Sequence, residues 1–202
     1  HMTVALSAAV QMMVFSKAAG VMFTVDLVTG NDNNILIEGS WGLGEYVVQG
    51  TVTPDNFHVD KAKMEITDRM INDKHIRLVR KADGDCVEEV VPADEAKKQV
   101  ITDAQVLELA KYAKAIEKHY GCYMDMEWGV DERDDKIWIL QARPETVWSR
   151  KEKSETTEKA NTLDTGNREI IVKGLPASPG NAAGKAHVII NPEDIDEFKE
   201  GE

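Results

Sequence analysis

The run IWILQARPE, residues 137–145, combines the pattern of a β-strand with side chains that can bind ions. The run alternates until a proline ends it, and alternation places Ile137, Ile139, Gln141 and Arg143 on one face of the strand. An amide oxygen can coordinate a cation, and a guanidinium can hold a phosphate or carboxylate through two parallel hydrogen bonds. The run therefore predicts an ion-binding site at the end of a strand.

A second alternating run, CYMDMEWGV, comes just before it, and the charged turn DERDD between the two runs predicts a β-hairpin. If the turn centres near Arg133, Glu127 lies opposite Ile139 and one diagonal step from Gln141, about 7–8 Å at the backbone. A carboxylate and an amide oxygen at that spacing can converge on Mg²⁺, which completes its coordination in nucleotide sites with water and phosphate. Arg143 would lie beside the cation and hold phosphate oxygens.

Polar side chains at the end of a hairpin have a simpler interpretation as a solvated rim or a salt bridge. The ion-binding interpretation is favoured because Trp138 and Leu140 make the other face of the strand apolar as well. A strand that is apolar on both faces is expected in the centre of a sheet, and such a strand exposes polar groups only at its end.

Hydrophobic periodicity predicts the elements that would position this site. Thr102 and Gln105 have the spacing of a capping box, and Gly121 stands where a helix would end, so a helix is predicted over 102–120. Short strands are predicted at 21–28, at 35–38, after Pro54-Asp55, and once or twice within 64–80. The apolar run at 4–15 is compatible with a strand or with the end of a helix.

The glycine-rich stretch GSWGLGE, residues 39–45, matches neither the dinucleotide fingerprint GxGxxG nor the phosphate-binding motif that ends in GK[ST]. Its glycines have two interpretations. They permit tight turns, or they let the backbone approach a ligand closely, with Glu45 available to a hydroxyl group or a cation.

The composition changes after Trp148. Residues 149–168 contain a single large aliphatic side chain, Leu163, and are predicted to form a solvated linker. From Glu169 the chain is apolar again, with strand-like runs, but 169–202 is too short to fold alone. A linker followed by the first elements of a second, truncated domain predicts a fragment of a larger protein.

The overall composition excludes several classes of partner. The net charge is −12 with no basic stripe, which argues against nucleic acid and anionic membranes as partners. No apolar run approaches the ~20 residues that a membrane helix needs. Cys86 and Cys122 are the only cysteines and have no CxxC spacing, so a cytoplasmic location is expected.

Several motifs in register resemble one known family. GVMFTVD, SWGLGEYVVQGTVTPDNF, DMEWGVD and IWILQARPETVWS together resemble the nucleotide-binding domain shared by phosphoenolpyruvate synthase, pyruvate phosphate dikinase and rifamycin phosphotransferase. LPASPGNAAGKAHVI resembles the start of the swivelling phosphohistidine domain that follows it in the family. The resemblance covers residues 4–202, with the motifs in the family's order.

The resemblance implies an α+β fold. Residues 3–148 would form the C-terminal lobe of an ATP-grasp domain, an antiparallel sheet with helices, and 169–202 the start of the phosphohistidine domain. By resemblance, Glu127 and Gln141 match the Mg²⁺ ligands and Arg143 matches the catalytic arginine that contacts phosphate. The resemblance implies that adenine contacts the backbone of a hinge strand at Gln11, Met13 and Val14. It also implies that Glu45 lies near the ribose or the metal.

The implied activity is that of a phosphoenolpyruvate synthase, which converts ATP, pyruvate and water to phosphoenolpyruvate, AMP and phosphate through a phosphohistidine. Mg²⁺ and ATP would bind here, and pyruvate and phosphoenolpyruvate through domains outside this chain. The whole enzyme is expected to be a homo-oligomer, and these 202 residues alone to be inactive.

Two other functions remain open at this point. SWGLGE, TPDNF and LQARP also resemble rifamycin phosphotransferases, which direct the same ATP-cleaving chemistry to a hydroxyl group of the antibiotic. The third possibility is a nucleotide-binding module without catalysis. The joint presence of Glu127, Gln141 and Arg143 argues against that possibility.

Overall fold

The computed structural model describes residues 8–27, 29–146, 148 and 184–189. The chain divides into two compact units, residues 1–155 and residues 156–202. In the second unit, residues 184–189 form neither helix nor strand, contrary to the strand-like pattern of this segment. The predicted linker at 149–168 and the rest of 169–202 lie outside the described residues.

The first unit combines a large antiparallel sheet with helices, which confirms the predicted α+β class. Among the described residues, six strands pair in the order β4-β3-β2-β1-β7-β8, and β5 pairs with β6 in a separate hairpin. Every one of these pairings is antiparallel. The strands are β1 Ser16–Phe23, β2 Asn34–Trp41, β3 Asp55–Asp60, β4 Glu65–Met70, β5 Ile76–Arg80, β6 Cys86–Val90, β7 Met124–Asp131 and β8 Ile137–Pro144, and the helices are α1 Glu45–Val48, α2 Ala93–Ala96 and α3 Asp103–Tyr120.

Helix α3 forms where its local signals predict it. The Thr102 side chain accepts a hydrogen bond from the Gln105 backbone, and the Gln105 side chain bonds back to the Thr102 backbone, which completes the capping box. Gly121 ends the helix in the left-handed conformation, with φ of 67°. The buried face of the helix packs against the sheet through Val106, Leu109, Ala110 and Ala113.

The core is centred on the indole of Trp128, which is completely buried between α3 and the sheet. Trp128 pairs with Gly20 on β1, and Gly20 pairs with Gly39 on β2, so two glycines lie side by side next to the tryptophan. A Cβ atom on Gly39 would lie 2.7 Å from the indole ring, so the absence of a side chain there makes room for it. The indole nitrogen donates to the Val21 carbonyl at 3.2 Å, which fixes β1 against β7.

Several boundaries differ from the sequence prediction. Residues 8–15 form no regular element, so the prediction of a strand or helix end there is wrong for the part described. Strand β1 begins at Ser16 rather than at 21, because pairing with β2 and β7 extends it backwards. Strand β6 and helix α2 were not predicted; β6 has the polar sequence CVEEV and an exposed face, which gives a weak apolar signal.

Candidate functional site

The β7–β8 hairpin forms as predicted, but its register differs. Val130 pairs with Ile137 and Trp128 with Ile139, whereas Glu127 pairs directly with Gln141. Leu140 is therefore left without a partner, in a β-bulge. The prediction that Glu127 lies opposite Ile139 and diagonal to Gln141 is wrong, and the actual arrangement brings the carboxylate and the amide closer.

The bulge also moves the polar end of β8 to the other face of the sheet. Ile137, Ile139 and Ala142 pack against the core, while Gln141 and Arg143 lie on the opposite, open face with Asp125 and Glu127. The prediction that all four odd-numbered residues from 137 to 143 share a face is therefore wrong. So is the prediction of a central strand, since β8 is the last strand of the sheet among the described residues. An extra residue in one strand changes which face each later side chain occupies.

Glu127 and Gln141 lie together on this open face. The Gln141 amide nitrogen donates to a Glu127 carboxylate oxygen at 3.4 Å, and Glu127 is half-buried while Gln141 is exposed. Rotating the amide by 180° would put its oxygen beside the carboxylate instead, and the two oxygens would then offer Mg²⁺ two ligands. The described residues contain no group of three or more His, Cys, Asp or Glu side chains arranged for a metal. Two oxygens are fewer ligands than Mg²⁺ requires, so a cation at this pair would take its other ligands from phosphate and water.

Arg143 is held by a carboxylate that the sequence prediction did not connect with it. Its Nε donates to Asp125 Oδ2 at 2.8 Å, and its Nη2 lies 2.8 Å from the same oxygen. The hydrogen bond to Asp125 raises the pKa of Arg143 above its ordinary value, so the guanidinium stays charged. The side chain of Arg143 is 61% exposed and that of Asp125 only 16%, so Asp125 anchors a guanidinium that still reaches solvent.

A cavity of about 460 Å³ opens beside this ion pair. Its walls combine the Asp125–Arg143 pair with Phe23, Leu27 and the residues that follow β8. One of these, Glu145, is buried and accepts a hydrogen bond from the Trp148 backbone at 2.8 Å, which holds the chain after β8 in place. The cavity gives the guanidinium a space in which an anionic ligand could lie.

Glu38 is a further carboxylate on the open face, and its sequence pattern does not predict a functional role for it. Val21 pairs with Glu38 on one side and with Glu127 on the other, so the three residues form a row across β2, β1 and β7. Two strand spacings separate the two carboxylate-bearing residues, about 10 Å at the backbone. A single acid in the apolar run ILIEGS was the available signal.

The pKa of Glu38 predicts a pH-dependent stability. Burial raises this pKa above its ordinary value of 4.5, because the charged form loses hydration. The folded state therefore prefers protonated Glu38; the stability it contributes is fully present below pH 4.5 and is lost as pH rises through the folded pKa. We expect Glu38→Gln to raise the melting temperature at pH 7, and this gain to disappear as the pH falls below 4.5.

The measurement is the melting temperature of wild type and variant by circular dichroism from pH 3.5 to 8. Glu65→Gln is the matched control, because Glu65 is an exposed strand carboxylate on β4. If Glu38→Gln raised the melting temperature equally at every pH, or if Glu65→Gln raised it in the same way, the effect would not come from the raised pKa of Glu38.

Among the described residues, no side-chain hydrogen bond or ion pair joins the four residues expected to bind the nucleoside to the hairpin site. Gln11 and Met13 are exposed and Val14 is half-buried, in the irregular segment before β1. Glu45 is the exposed first residue of α1, where it accepts a hydrogen bond from Gln49 at 2.9 Å. Their roles stay predictions.

The open face thus carries a carboxylate and an amide that could coordinate a cation, and a charged arginine beside a cavity. Residues 1–163 match the family described as the pyruvate phosphate dikinase AMP/ATP-binding domain. The chain therefore belongs to this family.

The most informative relatives carry the names of whole enzymes. A probable phosphoenolpyruvate synthase of Pyrococcus abyssi is 43% identical over 208 residues, which cover 100% of this chain and 25% of the relative. The phosphoenolpyruvate synthase of Pyrococcus furiosus gives the same identity and coverage, 43%, 100% and 25%. A probable phosphoenolpyruvate synthase of Methanocaldococcus jannaschii is 42% identical over 202 residues, which cover 100% of this chain and 16% of the relative.

The chain spans about a quarter of the length of the Pyrococcus relatives that it matches. No helix among its described residues has both the length and the apolar character needed to cross a membrane.

Proposed function

We propose that the chain is the ATP-binding part of a phosphoenolpyruvate synthase. The whole enzyme would convert ATP, pyruvate and water to phosphoenolpyruvate, AMP and phosphate through a phosphohistidine. The observation that carries the proposal is the pairing of Glu127 with Gln141 beside Arg143, on the open face of a domain from the AMP/ATP-binding family. The relatives' names support the synthase over the rifamycin phosphotransferase.

The residues of the chain would each take a distinct part in this reaction. Glu127 and Gln141 would hold Mg²⁺, which neutralises charge on the phosphates when it is bound. Arg143 would bind phosphate oxygens and balance the negative charge that develops during transfer. Asp125 would hold Arg143 in position, because its carboxylate accepts two close contacts from the guanidinium.

The remaining parts of the proposal concern the wider protein. Residues 3–148 would be the C-terminal lobe of an ATP-grasp domain, 149–168 a linker, and 169–202 the start of the swivelling phosphohistidine domain. Gln11, Met13 and Val14 would line the adenine, with Glu45 near the ribose or the metal. Pyruvate and phosphoenolpyruvate would bind elsewhere in a homo-oligomeric, cytoplasmic enzyme of gluconeogenesis; two free thiols are compatible with that compartment.

Phosphorus NMR on the entire gene product that contains these residues tests the proposal. With ATP, Mg²⁺ and pyruvate, we expect phosphoenolpyruvate, AMP and inorganic phosphate to form in equal amounts. A reaction without pyruvate is the control, and an isotope-labelled pyruvate confirms the source of the product.

Other products would point elsewhere. ATP that stays intact with pyruvate but is consumed with a rifamycin would replace the synthase by an antibiotic phosphotransferase while keeping the site. ATP cleavage that transfers phosphate neither to pyruvate nor to the rifamycin would contradict both functions.

A further inference from the structure

A second cavity, of about 290 Å³, lies at the other end of β1 from the Asp125–Arg143 pair. Phe23, at the end of β1, pairs with Asp125. The second cavity is instead lined by Phe15, Ser16 and Lys17, at the start of β1. The eight residues of β1, from Ser16 to Phe23, span about 23 Å of extended chain. The cavity is therefore separate from the proposed phosphate site.

The glycine-rich stretch builds one wall of this cavity. Gly42 has φ of 78° and forms a parallel bridge with Leu78 on β5, and the Leu43 backbone donates to the Leu78 carbonyl at 2.8 Å. A Cβ atom on Gly42 would lie 2.3 Å from that carbonyl oxygen, so only glycine allows the two backbones to approach this closely. The glycine thus serves a contact between two chain segments, and this contact places the cationic strand β5 against the end of β1.

The lining is cationic in a protein whose net charge is −12. Among the described residues that line the cavity, four are basic and two acidic: Lys17, Arg77, Arg80, Lys81, Glu89 and Glu132. Arg77 pairs with Glu89 at 3.1 Å and Lys17 with Asp135 at 2.5 Å.

Two cations remain after these pairs are assigned. Arg80 and Lys81 have no ion pair with any described residue, and Glu132 is the one described lining carboxylate left to balance them. The Arg80 guanidinium lies 5.7 Å from the centre of the Phe15 ring, a contact that orients it without neutralising it.

We infer that this cavity binds a small organic anion that carries a phosphate or carboxylate group. Arg80 would hold the oxygens in a fork, Lys81 would add a second charge, and the apolar surfaces of Phe15, Leu43 and Val79 would contact the rest of the molecule. The nucleotide of the proposed function does not account for these charges, because the base and ribose are uncharged and the phosphates would lie at Glu127 and Arg143. The inferred site is thus additional to the phosphate-binding part of the proposed nucleotide site.

Amide and arginine Nε–H NMR signals of the 202-residue chain provide the test. Inorganic phosphate and succinate are titrated separately, with sodium chloride at matched ionic strength and adenosine as the uncharged comparison. We expect saturable shifts at Leu43, Val79 and the Arg80 side chain with phosphate, with succinate, or with both, and the responding probe identifies the anionic group. Arg80→Gln and Lys81→Gln should each weaken this binding about tenfold.

Lys111→Gln is the matched control, because Lys111 is an exposed lysine on α3 that is not among the residues lining the cavity; anion binding by this variant should be unchanged. Two separate cavity variants are used so that one remains informative if the other fails to fold. Shifts that chloride reproduces, or that are the same in all three variants, would overturn the inference. So would shifts of the cavity signals by adenosine but by neither anion, since the cavity would then belong to the nucleoside. Anion shifts confined to Asp125 and Arg143 would overturn it while leaving the proposed function intact.

Discussion

Replacing Glu127 by alanine should lower the rate of Mg²⁺-dependent ATP cleavage by the entire gene product at least about 100-fold. The carboxylate is the one charged side chain of the proposed cation site, and Gln141, 3.4 Å away, offers only a neutral oxygen. Without Glu127 the cation would depend on the amide, the phosphates and water. The initial rate of AMP formation, measured over a range of Mg²⁺ concentrations, checks this result.

The same variant has an expected effect that does not depend on turnover. Mg²⁺ with ATP should raise the melting temperature of the wild-type gene product, and Glu127→Ala should abolish that rise. Glu65→Gln, a substitution of an exposed glutamate on β4, should leave both the rate and the rise unchanged. If the Glu127→Ala variant cleaved ATP at the wild-type rate at low Mg²⁺, Glu127 would not be a metal ligand.

Elements with local signals could be predicted from the sequence. Helix α3 forms within one residue of its predicted start, because the capping box of Thr102 and Gln105 and the left-handed Gly121 are local interactions. The β7–β8 hairpin is likewise specified by two alternating runs around a short charged turn. By contrast, β6 pairs with β5 through a sequence with few apolar residues, so its pattern carried little information.

The composition of the candidate site could be predicted, but its geometry could not. The residue types and their spacing predict that Glu127, Gln141 and Arg143 belong to one site, and the structure places all three on the open face. The bulge at Leu140 determines that face, and no residue type in IWILQARPE specifies a bulge. The contact of Asp125 with Arg143 follows from the shifted register, which explains why a simple alternation missed it.

Contacts between distant segments were the least predictable. The Lys74 ammonium is completely buried and lies 2.5 Å from Asp55, and it also donates to the Asn72 carbonyl at 2.7 Å. The other Asp55 oxygen accepts from the Val100 backbone at 3.0 Å, 45 residues along the chain. This cluster joins the start of β3, the loop before β5 and the segment before α3. A lysine in NDKHIR gives no sign of burial, because most lysines are exposed.

Lys74→Met should therefore lower the free energy of unfolding by about 3–5 kcal/mol, because it leaves the Asp55 carboxylate buried without its counter-charge. Urea unfolding of the 202-residue chain at pH 7 measures this loss. The double variant Asp55→Asn/Lys74→Met should be more stable than Lys74→Met, since no isolated charge remains inside the fold.

Lys98→Met is the matched control: its partner Asp94 lies 3.2 Å away in an exposed pair. Its loss should stay below about 0.5 kcal/mol. If Lys74→Met lowered the free energy of unfolding as little as the control does, the charge of Asp55 would be solvated without Lys74. The buried pair would then not be what holds these three segments together.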